Sequence, residues 1–127
     1  MGIIYEEKSR QFHLYNDKIS YIMTCLPNGQ LGQLYYGKRL RHRESFGHLL
    51  EFAHRDMAPC VYEDDTTFSL EHIRQEYPAF GTGDMRYPAY GIRRENGSRV
   101  SCFVYKSHTI QGETGIAGPA CRLCGAG

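Results

Sequence analysis

The chain has 127 residues, 41% hydrophobic and 23% charged, which is the composition of a globular protein and not of a disordered one. This length allows one domain with a hydrophobic core and is short for two domains of ordinary size. Fifteen basic and fourteen acidic residues give a formal net charge of +1, so the overall charge predicts neither a nucleic-acid partner nor an anionic membrane. There is no apolar run near the ~18 residues that cross a bilayer and no signal-peptide pattern, so the sequence predicts a cytoplasmic protein.

The cysteines and histidines do not form a recognisable metal or disulfide pattern. Five cysteines are an odd number at irregular spacing, which argues against a disulfide framework. Cys121 and Cys124 have the spacing of half a zinc site, but no second Cys or His pair matches it. His42, His48 and His54 recur every six residues, a spacing that no common ligand set uses, so they are predicted to face solvent or to pack.

The first third of the chain predicts an antiparallel meander. In residues 11–16, Phe12 and Leu14 alternate with polar neighbours, the period of a half-buried strand. The dipeptide Asn28-Gly29 is a strong turn signal because both residues tolerate a positive φ angle. The predicted strands are residues 3–7, 11–16, 19–26 and 31–40, and consecutive strands usually lie side by side.

The middle and late parts of the chain predict short elements of mixed type. Residues 45–57 have apolar side chains at helical spacing, enough for one or two turns before Pro59 ends them. A further strand is predicted over residues 66–71, and a hairpin over residues 90–94 and 99–107 with its turn at 95–98. Many short strands and little helix predict an all-β, mainly β protein with a β-sandwich architecture.

Residues 75–90 form the most informative segment, in which two Tyr-Pro-Ala tripeptides flank a Gly-Thr-Gly turn. Proline disfavours helix at the residue before it, and glycine permits unusual backbone angles, so an ordered non-helical loop is expected. The loop presents Asp84, Arg86 and several aromatic side chains, residue types that suit sugar recognition. Composition alone favours a structural turn, since turn residues cluster in any β protein.

The run Gln-Glu-Tyr-Pro-Ala-Phe-Gly-Thr-Gly-Asp-Met-Arg-Tyr-Pro-Ala-Tyr resembles the N-terminal region of microbial α-galactosidases of glycoside hydrolase family 36. Shorter segments resemble the same family in the expected order: Gln-Phe-His-Leu at 11–14, Tyr-Tyr-Gly-Lys at 35–38, Thr-Phe-Ser-Leu at 67–70, Glu-Asn-Gly-Ser at 95–98 and Tyr-Lys-Ser-His at 105–108. The resemblance covers about residues 1–110.

The resemblance implies a fold and an activity for the longer protein. The family places a large N-terminal β-sandwich, or supersandwich, before a catalytic (β/α)8 barrel, assembles as a tetramer, and hydrolyses terminal α-galactosides such as melibiose and raffinose. Two carboxyl groups of the barrel carry the reaction, so neither a metal nor an organic cofactor is implied. The barrel's Lys-Trp-Asp motif is absent from this chain, which has no tryptophan, so no catalytic residue is expected here.

The resemblance also assigns candidate binding and bracing residues. In the family, a loop of this domain reaches the sugar pocket of a neighbouring subunit, and it corresponds here to the segment that contains His54, Arg55 and Asp56. Many members have Asp where this chain has His54, and this chain has an acid two residues later, so either His54 or Asp56 faces the sugar. Tyr77, Asp84 and Arg86 are expected to brace the domain against the barrel or a neighbouring subunit.

The sequence after residue 110 changes character. Residues 1–110 are predicted to form the N-terminal domain, and residues 111–127 an irregular glycine-rich tail that only partly matches the family pattern. A reading-frame slip and a natural flexible tail would both produce this loss of pattern. The alternative to an α-galactosidase domain is a free-standing carbohydrate-binding β-sandwich module without catalysis.

Overall fold

A computed structural model describes residues 1–50, 65, 67–81 and 86–110. Four strands, β1 (Gly2–Glu6), β2 (Gln11–Tyr15), β3 (Ile19–Cys25) and β4 (Leu31–Lys38), form one antiparallel sheet in the order β1-β2-β3-β4. A 3₁₀ turn lies beyond them at Gly47–Leu49. The described residues contain no α-helix, which confirms the all-β fold class.

Short turns join the four strands where the sequence predicts them. The Asn16 side-chain oxygen accepts hydrogen bonds from the backbone N–H groups of Lys18 and Ile19, both at 2.8 Å, and so starts β3. Gly29 has a φ angle of 82°, a conformation that glycine adopts without strain. The meander is therefore confirmed, with strand boundaries that differ by at most two residues from those predicted.

The two faces of the sheet bury different kinds of side chain. Phe12 pairs with Met23 and, on the other face, His13 pairs with Ile22. The first face, called the aromatic face, has a core of Phe12, Met23, Cys25 and Leu31, against which Tyr5, Leu14, Tyr21 and Tyr105 pack. The second face, called the polar face, buries Gln11, His13, Ser20, Ile22 and Thr24.

Residues 39–46, called the strap, lie across the polar face. The Arg39 guanidinium lies 4.2 Å from the centre of the Tyr15 ring, a cation–π contact. At the other end of the strap, the backbone N–H of Phe46 donates to the side-chain oxygen of Gln11 at 2.7 Å. The strap thus replaces water over the buried polar residues of the sheet.

A second core lies beside β4 and consists of Leu26, Phe68, Leu70 and Ile73, with Leu50 packed against it. Its chain segment is joined to β4 by hydrogen bonds from Gln33 N to Arg74 O at 2.7 Å and from Glu76 N to Leu31 O at 2.9 Å. The sequence predicts a strand over residues 66–71. This prediction is wrong for residues 67–71, which form turns and irregular structure. Phe68 and Leu70 are nevertheless both buried in this core.

The sequence predicts a late hairpin with two strands and a turn. The prediction of the turn is confirmed, and the prediction of the strands is wrong. Arg94 N donates to Ser98 O and Gly97 N donates to Arg94 O, each at 2.9 Å, so the turn is present. Residues 90–94 and 99–107 have no strand structure. Their backbone groups bond elsewhere: Ser101 N donates to Phe80 O, and Tyr105 N donates to Gly29 O.

Two other predictions concern residues that lie partly or wholly outside the described part of the chain. Of the helical turns predicted over residues 45–57, the 3₁₀ turn Gly47–Leu49 is present, and residues 51–57 lie outside the described residues. The predicted tail, residues 111–127, lies outside them as well. Within the described part of the chain, no helix is long and apolar enough to span a membrane.

Candidate functional site

The structure describes two of the six residues that the sequence singles out. His54, Arg55, Asp56 and Asp84 lie outside the described residues, so their roles stay predictions. Tyr77 and Arg86 are described, and both belong to the segment that carries the family resemblance. We call its described parts, residues 75–81 and 86–90, the aromatic loop.

The aromatic loop begins at the edge of the sheet. Gln75 forms an isolated antiparallel bridge with Gly32 of β4, and its side-chain amide donates to the Gln30 side-chain oxygen. Close by, burial raises the pKa of the Tyr21 hydroxyl, and the Glu76 carboxylate acts in the same direction. Tyr21 therefore stays protonated where the loop meets the sheet.

Arg86 connects the aromatic loop to the second core. One guanidinium nitrogen, Nη2, donates to Leu70 O at 3.0 Å and to Ile73 O at 2.7 Å. Hydrogen bonds from a charged donor are stronger than neutral ones, so this contact holds the turn that closes over Leu70 and Ile73. Arg86 thus supports a turn of its own chain, and its expected contact with a barrel or a neighbouring subunit stays a prediction.

Three aromatic rings of the loop face outward. The side chains of Tyr77, Phe80 and Tyr87 are 47%, 50% and 94% exposed. The backbone that carries them is held by hydrogen bonds from Ala89 N to Pro78 O at 3.0 Å and from Ser101 N to Phe80 O at 3.2 Å. Exposed rings on a fixed loop can cover an apolar surface of a sugar or of another protein.

A chain of hydrogen bonds joins the strap to the polar face. The Nδ1 atoms of His13 and His42, called the histidine pair, lie 3.1 Å apart. His13 Nε2 lies 2.9 Å from Ser20 Oγ, and His42 Nε2 lies 3.0 Å from a Glu6 carboxylate oxygen. Ser20 Oγ also accepts the backbone N–H of Leu40 at 2.9 Å. This series of hydrogen bonds links β1, β2, β3 and the strap.

Burial has the largest effect on the pKa of His13 in this series of hydrogen bonds. His13 is only 2% exposed, and its burial lowers the pKa of its imidazole, with further lowering from His42 and from Arg39. His13 is therefore neutral at pH 7. A serine and a histidine in contact suggest nucleophilic catalysis, but Ser20 is fully buried and no substrate could reach its hydroxyl. These hydrogen bonds therefore stabilise the contact between the strap and the sheet.

Sequence reasoning missed the histidine pair. His13 lies in an alternating strand, and His42 lies 29 residues later, in a basic segment for which the sequence predicts solvent exposure or packing without a defined partner. The alternation places His13 on the face opposite Phe12, which is a signal for a buried histidine. Its partner could not be found, because the path of the strap across the sheet is a tertiary property.

No group of three or more potential ligands occurs in the described residues that could hold a metal ion.

Comparison with known proteins assigns the chain to a family. The family described as "Glycosyl hydrolase family 36 N-terminal domain" matches residues 29–122, about three quarters of the chain. The chain belongs to this family. The match includes β4, the aromatic loop and the second core except Leu26, and it confirms the resemblance inferred from the motifs.

The relatives are α-galactosidases. Alpha-galactosidase AgaA of Geobacillus stearothermophilus is 40% identical over 113 residues, which are 87% of this chain and 15% of the relative. The crystal structure of alpha-galactosidase AgaB from the same organism is 38% identical, with a TM-score of 0.72, over 86% of this chain and 14% of that one. A variant of AgaA in complex with raffinose is 41% identical, with a TM-score of 0.67, over 78% and 14% of the two chains. The chain therefore spans about a seventh of the length of these relatives.

Proposed function

We propose that this chain is the non-catalytic N-terminal domain of an α-galactosidase that hydrolyses terminal α-D-galactosides such as melibiose and raffinose in the cytoplasm. The observation that carries the proposal is the 40% identity to AgaA over 87% of the chain, together with the match to the family's N-terminal domain. The nucleophile and the acid/base residue then belong to the larger part of such an enzyme, and the 127 residues are inactive alone.

The role of the domain is to assemble subunits and to shape the pocket. The exposed rings of Tyr77, Phe80 and Tyr87 support this role, because such rings are common where one protein surface covers another. In this proposal Arg86, beside its contacts with Leu70 and Ile73, and Asp84 brace the domain within a homotetramer. His54, Arg55 and Asp56 approach the sugar of a neighbouring subunit.

The domain boundary belongs to the same proposal. Residues 1–110 form the domain, and residues 111–127 are an irregular glycine-rich tail that is either naturally flexible or the result of a frame slip. The family match extends to residue 122, so part of this tail retains family sequence.

The experiment is to determine the coding sequence around codon 111 in all frames and beyond codon 127, and to assay both products. The expected result is a downstream barrel with a Lys-Trp-Asp motif. The complete product then cleaves a chromogenic α-galactoside, and the 127-residue chain does not. Cleavage by the 127-residue chain would refute the proposal. A stop codon with no barrel in any frame, together with galactose binding by calorimetry, would instead establish a carbohydrate-binding module.

A further inference from the structure

We propose that the histidine pair is a proton-operated latch, which holds the strap on the sheet while at least one of the two imidazoles is neutral and releases it when both are charged. The proposal concerns the described residues of the strap and sheet and does not depend on the enzyme activity proposed above.

The neutral pair has one consistent set of hydrogen bonds. The Glu6 carboxylate can only accept, so His42 Nε2 carries a proton and donates it across 3.0 Å. In a neutral imidazole the other nitrogen is then bare, so His42 Nδ1 accepts from a protonated His13 Nδ1 across 3.1 Å. His13 Nε2 is bare in turn and accepts the Ser20 hydroxyl at 2.9 Å. Every group is satisfied, and all the bonds run in one direction from Leu40 N–H to Glu6.

A first proton can be accommodated without opening the latch. His13 is the less favourable place for this proton, because burial disfavours its charged form. His42 Nδ1 then becomes the donor, and His13 responds by moving its own proton from Nδ1 to Nε2. Ser20 Oγ then accepts from both His13 Nε2–H and Leu40 N–H, which its two lone pairs allow, while its own hydrogen loses His13 as an acceptor, a cost that leaves the bond from Leu40 in place.

A second proton cannot be accommodated. Both Nδ1 atoms would carry hydrogen and face each other at 3.1 Å, so a hydrogen bond would become a repulsion. The surrounding charges make this worse. β1 supplies one carboxylate, Glu6; β2 supplies the ring of Tyr15 and β3 the hydroxyl of Ser20, neither of which offers a negative charge. The strap itself supplies the Arg39 guanidinium, so among these described groups three positive charges would oppose one negative charge.

Repulsion between the two imidazoles acts against the hydrogen bonds that hold the strap on the sheet. His42 lies between Leu40, whose N–H donates to Ser20, and Phe46, whose N–H donates to Gln11. Moving His42 away from His13 therefore pulls on both contacts.

The test is hydrogen exchange of the full 127-residue chain, monitored by NMR between pH 7.5 and 5. We expect the Leu40 and Phe46 amides to be protected at pH 7.5. Below pH 6.5 their protection factors should fall, by up to tenfold per pH unit, relative to amides of β3, because opening is coupled to the uptake of one proton. At pH 7.5, nitrogen chemical shifts should report a protonated Nδ1 on His13 and a protonated Nε2 on His42.

Two variants separate the latch from general acid sensitivity. In His42→Gln the side-chain carbonyl can accept from a protonated His13, so Leu40 protection should change less than threefold over the same range. His48→Gln removes an exposed histidine just beyond the strap and should behave like the parent chain. The proposal is overturned if Leu40 is unprotected at pH 7.5, if its protection relative to β3 is constant down to pH 5, or if His42→Gln opens like the parent.

Discussion

His13 and His42 place their Nδ1 atoms 3.1 Å apart, so at most one of the two can carry a hydrogen at that position. One neutral imidazole is thus required for the strap to lie on the sheet as it does. Protonation of these histidines therefore affects the free energy of unfolding of the whole chain as well as the local opening of the strap.

The free energy of unfolding should decrease as the pH falls below 6.5. The folded chain lowers the pKa of His13 below its ordinary 6.5, so the unfolded chain binds more protons in this range. The stabilisation is fully present above pH 6.5 and is lost as the pH falls toward the lowered pKa, by up to about 1.4 kcal/mol per pH unit for one proton. Urea unfolding between pH 8 and 5 measures it. A flat profile between pH 6.5 and 5 would contradict the role of burial at His13.

Arg86→Ala should destabilise the chain by about 1–2 kcal/mol, because two carbonyl groups, Leu70 O and Ile73 O, lose a charged donor. Arg93→Ala is a matched control, since Arg93 is exposed and makes none of these bonds. Urea unfolding compares the two. In the complete enzyme, Arg86→Ala is expected to impair assembly more than turnover of the assembled protein, and unchanged oligomer mass with lost turnover would refute the bracing role.

Gly32→Ala should destabilise the chain by about 1–3 kcal/mol through overpacking. A Cβ atom at Gly32 would lie 2.9 Å from Leu26 Cδ2 and 3.3 Å from Ile73 Cγ2, at the contact between the sheet and the second core. Gly91→Ala is the control, because nothing lies within 4 Å of a Cβ atom there. Thermal unfolding monitored by circular dichroism should show a lower midpoint for the first variant alone. Equal midpoints would mean that the second core is looser than described.

Tyr87→Ser should leave the stability of the 127-residue chain within about 0.5 kcal/mol, because a 94% exposed side chain has little contact to lose. In the complete enzyme the same change should weaken subunit assembly if the aromatic loop lies at an interface. Mass photometry at decreasing protein concentration measures the effect. An oligomer as stable as the parent would remove Tyr87 from the proposed interface and leave Tyr77 and Phe80 to be tested.

The two Asn-Gly turns show what local sequence can and cannot predict. Gly29 and Gly97 have the same φ angle, 82°, and both turns form where the sequence predicts them. Strands flank only the first turn. Around Gly29, Met23 and Leu31 are buried in the aromatic face, whereas Val100 and Val104 near the second turn are 45% and 39% exposed. A turn signal therefore predicts a change of chain direction, and burial decides whether the flanking residues form strands.

The candidate site is predictable to a similar extent. The motif of residues 75–90 leads to the correct family, and its prolines and glycines predict a non-helical loop. The two carbonyl acceptors of Arg86 could not be foreseen, because the local pattern predicts a strand over residues 66–71 and no turn at Leu70 and Ile73. The histidine pair depends on how the strap crosses the sheet, which no local pattern encodes.

Among the described residues, the four strands of the sheet pair with strands next to them in the sequence, and the last strand ends at Lys38. Apart from the bridge between Gly32 and Gln75, the pairing within the sheet thus involves residues of the first third of the chain. Contacts between residues close in sequence form quickly, and N-terminal segments fold first during synthesis. The meander can therefore assemble while the ribosome is still translating the rest of the polypeptide, and so serve as a template for the segments that emerge after it.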